Sequence, residues 1–219
     1  MAEIAVGNSR AMAARLTVAH MEQATLFDLP PPLPSGLPPG LAYEAGFLSA
    51  DEEASLIALI AGLPLHAAVY KQYTARRRVV SFGGSFDYDA NRLQPTTDLP
   101  PSLWPLRERV ARWAGIDDPT ALVHALVAEY APGTPLGWHR DVPDFEDVFG
   151  VSLGTPAVLR LRPYPPVAPK RADVVKLTLA PRSAYAFRGA ARWGWQHSVA
   201  PVAALRWSIT FRTAAAGRC

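Results

Sequence analysis

Arg206-Trp207-Ser208-Ile209-Thr210-Phe211-Arg212 changes character at every step. Side chains of a strand point to alternate faces. Trp207, Ile209 and Phe211 therefore share one face, which reads as core. Arg206, Ser208, Thr210 and Arg212 share the other. At ~3.3 Å per residue the two arginines stand roughly 20 Å apart, with two hydroxyls between them. Such a row fits an exposed strand face, and it also fits the inner face of a barrel that grips a small dianion.

Working outward from this strand, short apolar or alternating runs recur at 79–82, 121–130, 151–153, 158–161, 174–179 and 184–187. Turn chemistry separates most of them, at Pro132-Gly133, Gly154-Thr155-Pro156 and Arg188-Gly189. Short strands at this spacing predict an antiparallel barrel or sandwich. Helical signals come earlier in the chain. Ser49-Ala50-Asp51-Glu52 is a capping box before Leu56, Leu59, Ile60 and Leu63, which predicts a helix of about fourteen residues ended by Pro64. A second helix is predicted over 102–114, with Leu106, Val110, Trp113 and Ala114 on one face. The expected class is α+β with a β core and the helices packed outside it.

Ahead of this lies Pro30-Pro31-Pro32-Leu33-Pro34 and Pro38-Pro39-Gly40, an extended proline-rich linker. The expected division is a tail and linker over 1–40 and one domain over 41–219. Met12 and Met21 offer further start positions.

Composition narrows the chemistry. The single cysteine, Cys219, excludes a disulfide framework and a thiolate zinc site. No apolar run reaches ~18 residues, and the first thirty lack a secretory core. A reduced, cytoplasmic protein without a membrane span is expected, with a monomer favoured. The 22 basic residues comprise 19 Arg and 3 Lys, yet the net charge is only +3. That charge is too small to identify a nucleic-acid binder.

With thiolates excluded, histidine and carboxylate remain as metal ligands. Gly137-Trp138-His139-Arg140-Asp141 sets a His-x-Asp pair at a strand end or loop. With a distant histidine it makes the 2-His-1-carboxylate facial triad, which leaves open positions on Fe(II) for substrate and oxygen. A lone His-x-Asp is a weak signal. His20-Met21-Glu22 matches its looser form but sits in the tail. His66 lies beside the first helix, and His124 reads as a satisfied core or edge histidine in an apolar strand. His197, after a turn and ahead of the Arg206–Arg212 row, is the best third ligand.

The ordered set His139-x-Asp141, His197, Arg206-x5-Arg212 resembles the AlkB-like family of Fe(II)/2-oxoglutarate dioxygenases. Glu129-Tyr130-Ala131-Pro132-Gly133, Val151-Ser152-Leu153-Gly154 and Arg77-x4-Phe82-Gly83, continuing to Phe86 and Tyr88, resemble further family segments. The resemblance covers about 41–213. It implies a double-stranded β-helix, or jelly-roll, core with iron on His139, Asp141 and His197. It also implies 2-oxoglutarate and O2 as cosubstrates. Arg206 and Tyr130 are then expected at the distal carboxylate of 2-oxoglutarate, helped by Ser208. Arg212 is expected near the keto-acid end and the substrate. Two positions depart from the family: Ala128 and Ser208 stand where asparagine is frequent. Ser208 keeps a hydrogen-bonding hydroxyl and Ala128 has none.

The implied activity is oxidative demethylation of alkylated nucleobases in DNA or RNA. The same chemistry on a protein side chain or metabolite is an alternative. Further rivals are a silent jelly-roll binding module and a cupin-type metal enzyme lacking 2-oxoglutarate. The run Tyr70 to Arg78 mixes aromatic and basic residues, the composition of a single-strand binding surface. From it Tyr73, Arg76, Arg77 and then Phe82 are expected to meet substrate, and a basic surface loop is the competing reading. Arg160 and Arg162 alternate outward from Leu159 and Leu161, as a basic face or a plain exposed strand. Trp193 and Trp195 either wall the pocket or pack the core, and Trp138 is expected to pack behind His139.

Overall fold

The computed structural model describes residues 33–70, 73–87, 92–168 and 170–216. His20-Met21-Glu22, Tyr88 and Cys219 lie outside these. Four strands and a helix open the described chain: β1 Leu41–Glu44, α1 Ala50–Ala61, β2 His66–Tyr70, β3 Tyr73–Phe82 and β4 Ser85–Asp87. Next come β5 Arg92–Gln94, α2 Trp104–Trp113, β6 Leu122–Tyr130, β7 Leu136–His139 and β8 Phe145–Gly154. The chain closes with β9 Ala157–Pro163, β10 Val175–Leu179, β11 Ser183–Phe187, α3 Gly189–Trp193, β12 Trp195–Val199 and β13 Arg206–Ala214.

Two antiparallel sheets face each other. The larger runs β1-β11-β8-β13-β6-β3-β2, and the smaller β10-β9-β12-β7. One apolar cluster fills the space between them, with Val79, Ala128, Val148 and Phe187 from the larger sheet and Leu159, Leu161, Leu177 and Leu179 from the smaller. A second cluster lies on the other side of the larger sheet. There Val127, Phe149, Ile209 and Phe211 meet Ile60, Leu106 and Val110 of α1 and α2. Strand composition follows from these layers. The larger sheet is covered on both faces, so β6 reads Leu-Val-His-Ala-Leu-Val-Ala with scarcely a polar interruption. The smaller sheet has one face toward solvent, so β9 alternates apolar and basic residues. This is the α+β jelly-roll class expected from the sequence.

The helix signals resolve locally. Glu52 N–H donates to Ser49 Oγ, and Ser49 N–H donates to Glu52 Oε2, closing the capping box. α1 ends at the Gly62 cap, two residues before Pro64. α2 begins at Trp104 because Pro101–Leu103 forms a separate 3-10 turn. Pro38–Gly40 are fixed to the domain: the amides of Arg188 and Ala191 donate to the carbonyls of Gly40 and Pro39. Strand β3 is much longer than the 79–82 run, and β1, β2, β7 and β12 carry no clear sequence signal. At Gly150, in β8, a Cβ atom would fall 2.1 Å from Tyr185 Cζ. The glycine lets that ring lie across the sheet.

Candidate active site

The inner face of β13 is the expected row. Arg206, Ser208, Thr210 and Arg212 are all buried, while Ile209 and Phe211 point to the helix-side core. Register brings partners to the row from both sides. Tyr130, Ala128, Leu126 and His124 of β6 stand opposite it, as do Gly154, Ser152, Gly150 and Val148 of β8.

Strands β7 and β12 of the smaller sheet supply the histidines. His197 stands directly opposite His139, and their ring centroids are 4.2 Å apart. Asp141 follows β7 by two residues. One ligand atom from each of His139, Asp141 and His197 lies within 4.8 Å of the others, the grouping with metal-ligand geometry among the described residues. His139 and Asp141 are held from behind. His139 Nδ1 is 2.9 Å from the Gly137 carbonyl, so an N–H there leaves Nε2 for a metal. Arg212 donates to Asp141 Oδ1 through Nε at 2.8 Å and Nη2 at 2.6 Å. The other oxygen, Oδ2, lies 3.7 Å from His197 Nε2. Arg192, itself buried, donates to the carbonyls of Val142 and Phe145 and pins the loop that carries Asp141.

Electrostatics prepare the same three groups. Burial lowers the pKa of both imidazoles, that of His197 to about 3. Burial acts to raise Asp141, but Arg212 and the two histidines outweigh it and hold the carboxyl below its usual range. Neutral imidazoles with an ionised carboxylate are the protonation states a divalent metal requires.

The opposite end of the row has a different character. Arg206 is 1% exposed, and its Nε donates to Ser152 Oγ at 3.3 Å. Its Cζ lies 4.9 Å from the Tyr130 ring centroid. Nη1 is buried without a hydrogen-bond partner, and none of the ion pairs among the described residues includes Arg206. A buried cation without a counter-charge is costly. A carboxylate bound between the sheets satisfies it, and the guanidinium fork suits that geometry. Burial acts to raise the Tyr130 phenol, but Arg77 and Arg206, with hydrogen bonds from Arg77 and Ser208, bring it below its ordinary value. The residues present thus fit both Fe(II) and a dicarboxylate.

Of the expected site residues, His139, Asp141, His197, Tyr130, Arg206, Ser208 and Arg212 converge between the sheets. Arg212 binds Asp141 and reaches His124, whose Nδ1 lies 3.1 Å from Arg212 Nη1. The substrate set separates. Arg77 turns inward to Tyr130, whereas Arg76 is exposed and Arg78 pairs with Glu129 at 3.0 Å. Tyr73 opens β3 opposite Tyr70. Phe82, also expected to meet substrate, is 6% exposed and packs in the helix-side core, where strand alternation turns it away from the side Arg77 faces. Trp138 points outward under Arg162 rather than packing behind His139. Trp195 packs on the inter-sheet cluster, while Trp193 is exposed and donates to Glu146. Sequence reasoning missed Ser152 and Tyr185. A lone serine in Val151-Ser152-Leu153 is the signal that could have found Ser152, which accepts from Arg206 Nε.

The 2OG-Fe(II) oxygenase superfamily matches residues 64–212, about two-thirds of the chain. The Alkylated DNA repair protein ALKBH8 homolog of Arabidopsis thaliana is 29% identical over 181 residues, 74% of this chain and 51% of that protein. The tRNA (carboxymethyluridine(34)-5-O)-methyltransferase alkbh8 of Xenopus tropicalis is 29% identical over 177 residues, 77% of this chain and 26% of that protein. The chain therefore spans about half of the first relative and about a quarter of the second. The structure of OsALKBH1 superposes with a TM-score of 0.60 at 17% identity, over 83% of this chain and all of that one.

Proposed function

The chain belongs to the 2OG-Fe(II) oxygenase superfamily, and from that premise we propose that it oxidatively demethylates alkylated nucleobases. As an AlkB-like member it is a dioxygenase that uses Fe(II), 2-oxoglutarate and O2. The observation that carries the reading is the pairing of the His139, Asp141 and His197 cluster with the buried, unpaired Arg206 on the inner face. The nucleobase is supported by the relatives named for alkylated DNA repair and tRNA modification.

When bound, iron with 2-oxoglutarate and oxygen supplies the oxidising power that turns a methyl group into a hydroxymethyl group, with succinate and CO2 as coproducts. A hydroxymethyl group on nitrogen then leaves as formaldehyde. The chain's own residues set the geometry. His139 Nε2, an oxygen of Asp141 and His197 would hold the metal. Arg212 fixes one Asp141 oxygen, so the carboxylate cannot rotate. Arg206 would bind the distal carboxylate of 2-oxoglutarate, with Tyr130 and Ser208 beside it. The inter-sheet cluster excludes bulk water, which strengthens each of these contacts.

A base must leave its stack before its methyl group can enter such an interior. Single-stranded DNA or RNA is therefore the favoured substrate. The test is succinate formation by protein purified without air, with Fe(II) and 2-oxoglutarate, in the presence and absence of N-methylated oligonucleotides. Oligonucleotides should stimulate succinate and release formaldehyde in equal amount. Succinate that no DNA or RNA oligonucleotide stimulates would remove the nucleobase and leave a protein or metabolite substrate.

A further inference from the structure

The outer face of the smaller sheet takes no part in the chemistry above, and its composition is unusual. Outward positions carry Trp138 on β7, Gln196 and Ser198 on β12, Arg160 and Arg162 on β9, and Lys176 on β10. Their strand neighbours His139, His197, Leu159, Leu161 and Leu177 face inward. Register aligns Lys176 with Arg160, Arg160 with Ser198, and Arg162 with Gln196. None of these four strands contains an Asp or Glu.

The cations are fixed in place. Arg162 lies over the Trp138 ring at 4.3 Å and donates to Gln196 Oε1 through Nε and Nη2. Arg160 lies 5.5 Å from the same ring and donates to Ser198 Oγ. Arg140, next to His139, lies 3.7 Å over the exposed Tyr164 ring and donates to the Trp193 carbonyl. By contrast, Arg78 pairs with Glu129, Arg182 with Glu53 and Arg188 with Asp147. Arg140, Arg160 and Arg162 rest on aromatic rings and keep their charge uncompensated by the described residues.

We propose that this face is a docking surface for the phosphate backbone of the nucleic-acid substrate. The proposal rests on the nucleobase reading above and adds where the strand lies. Guanidinium groups ordered on aromatic rings keep N–H donors for bidentate contact with phosphate at little further entropic cost. The row starts at Arg140 and Tyr164, beside the β7 end that carries His139, and continues along β9 to Arg160. A polyanion with one base inserted between the sheets can follow it outward. Because these residues face away from the metal cluster, they act on affinity rather than on the chemistry.

The experiment uses the full chain and a fluorescent 20-nucleotide single strand, unmodified, as DNA and as RNA. Binding is followed by anisotropy across a salt series for the unaltered protein and for Arg160→Gln/Arg162→Gln. Each phosphate contact contributes about 0.7 to the slope of log affinity against log salt for single strands. Loss of two contacts flattens the slope by about 1.4, which is an affinity loss of about 25-fold at 0.1 M salt. Succinate formed without oligonucleotide stays unchanged, which shows the metal site intact. An unchanged slope in the double variant, with the unaltered chain binding, overturns the docking surface and leaves the nucleobase reading standing. Failure of the unaltered chain to bind either oligonucleotide overturns both. Binding of poly-glutamate but not of oligonucleotide, lost in the variant, assigns the face to an acidic protein segment and also overturns the proposal.

Discussion

Replacing Arg206 with methionine should make the protein without ligands more stable and nearly abolish 2-oxoglutarate binding. The structure sets the two magnitudes against each other. In the folded chain the guanidinium is buried, Nη1 has no partner, and the bond to Ser152 is long at 3.3 Å. Desolvating a cation costs several kcal/mol. The Tyr130 ring returns about 2 kcal/mol as a desolvated cation–π contact, and the bond to Ser152 about 1 kcal/mol. The remainder favours removal of the charge by about 1–2 kcal/mol. Methionine, unbranched and flexible, fills most of the same path. For a domain of this size that gain is worth roughly 2–8 °C in Tm.

The ligand side has the opposite sign. Removing one partner of a buried, hydrogen-bonded charge pair costs about 2–5 kcal/mol, a loss of roughly 30-fold or more in affinity. Thermal unfolding of both proteins, without oxygen, with and without Fe(II) and 2-oxoglutarate, reads both effects. At 100 times the dissociation constant, ligand stabilises the unaltered protein by about 2.7 kcal/mol. Arg206→Met should start higher and gain little. If it starts well below the unaltered protein and still gains the full ligand shift, Arg206 is a structural residue and the carboxylate assignment is wrong.

Three further outcomes test the surrounding design. Arg212→Lys loses the double hold on Asp141 Oδ1, and Fe(II) affinity measured by metal titration should fall about 10–100-fold; an unchanged affinity would show that Asp141 needs no such hold. In Gly150→Ala the new methyl group meets the Tyr185 ring at 2.1–2.4 Å, so denaturation should show a loss of about 1–3 kcal/mol; no loss would mean that Tyr185 moves freely. Burial, then Arg212, lowers the His124 pKa to about 3. The folded state keeps His124 neutral while the unfolded chain protonates near 6.5, so stability is full above pH 6.5 and falls toward pH 3 at about 1.4 kcal/mol per pH unit. His124→Asn should remove about 2 kcal/mol of the change between pH 6.5 and 4.5, and equal pH slopes in both proteins would refute the burial argument.

How much of this was legible in the sequence depends on the range of each signal. The period-two run at 206–212 carries its own reading, because alternation is local and one inward face assigns four residues at once. Ser49-Ala50-Asp51-Glu52 likewise specifies its helix start through contacts within one turn. Ligand convergence is not local. His139 and His197 meet only because β7 and β12 are neighbours in the smaller sheet. Both strands are short, and their residues lack the β-branched or aromatic alternation that marks a strand. Here the ordered resemblance supplied what periodicity could not. Ser152 and Tyr185 needed the register of β8 against β13 and β11, which only the assembled sheet sets.

Arg76, Arg77 and Arg78 show how the length of one element decides which side chains can act together. Read as a loop before a strand at 79–82, the three make one basic cluster aimed at substrate. Their inclusion in β3, which runs Tyr73–Phe82, divides them by parity. Arg78 shares its side with Val80 and Phe82 and binds Glu129. Arg77 shares its side with Val79 and reaches Tyr130. Changing all three together would therefore mix three effects: loss of a surface ion pair, loss of an exposed charge, and disturbance of the carboxylate end of the site. A flatter salt dependence in that variant could not assign a substrate contact. Arg76→Gln alone is the informative change there, because its side chain is exposed and apart from both the Tyr130 group and the Glu129 pair.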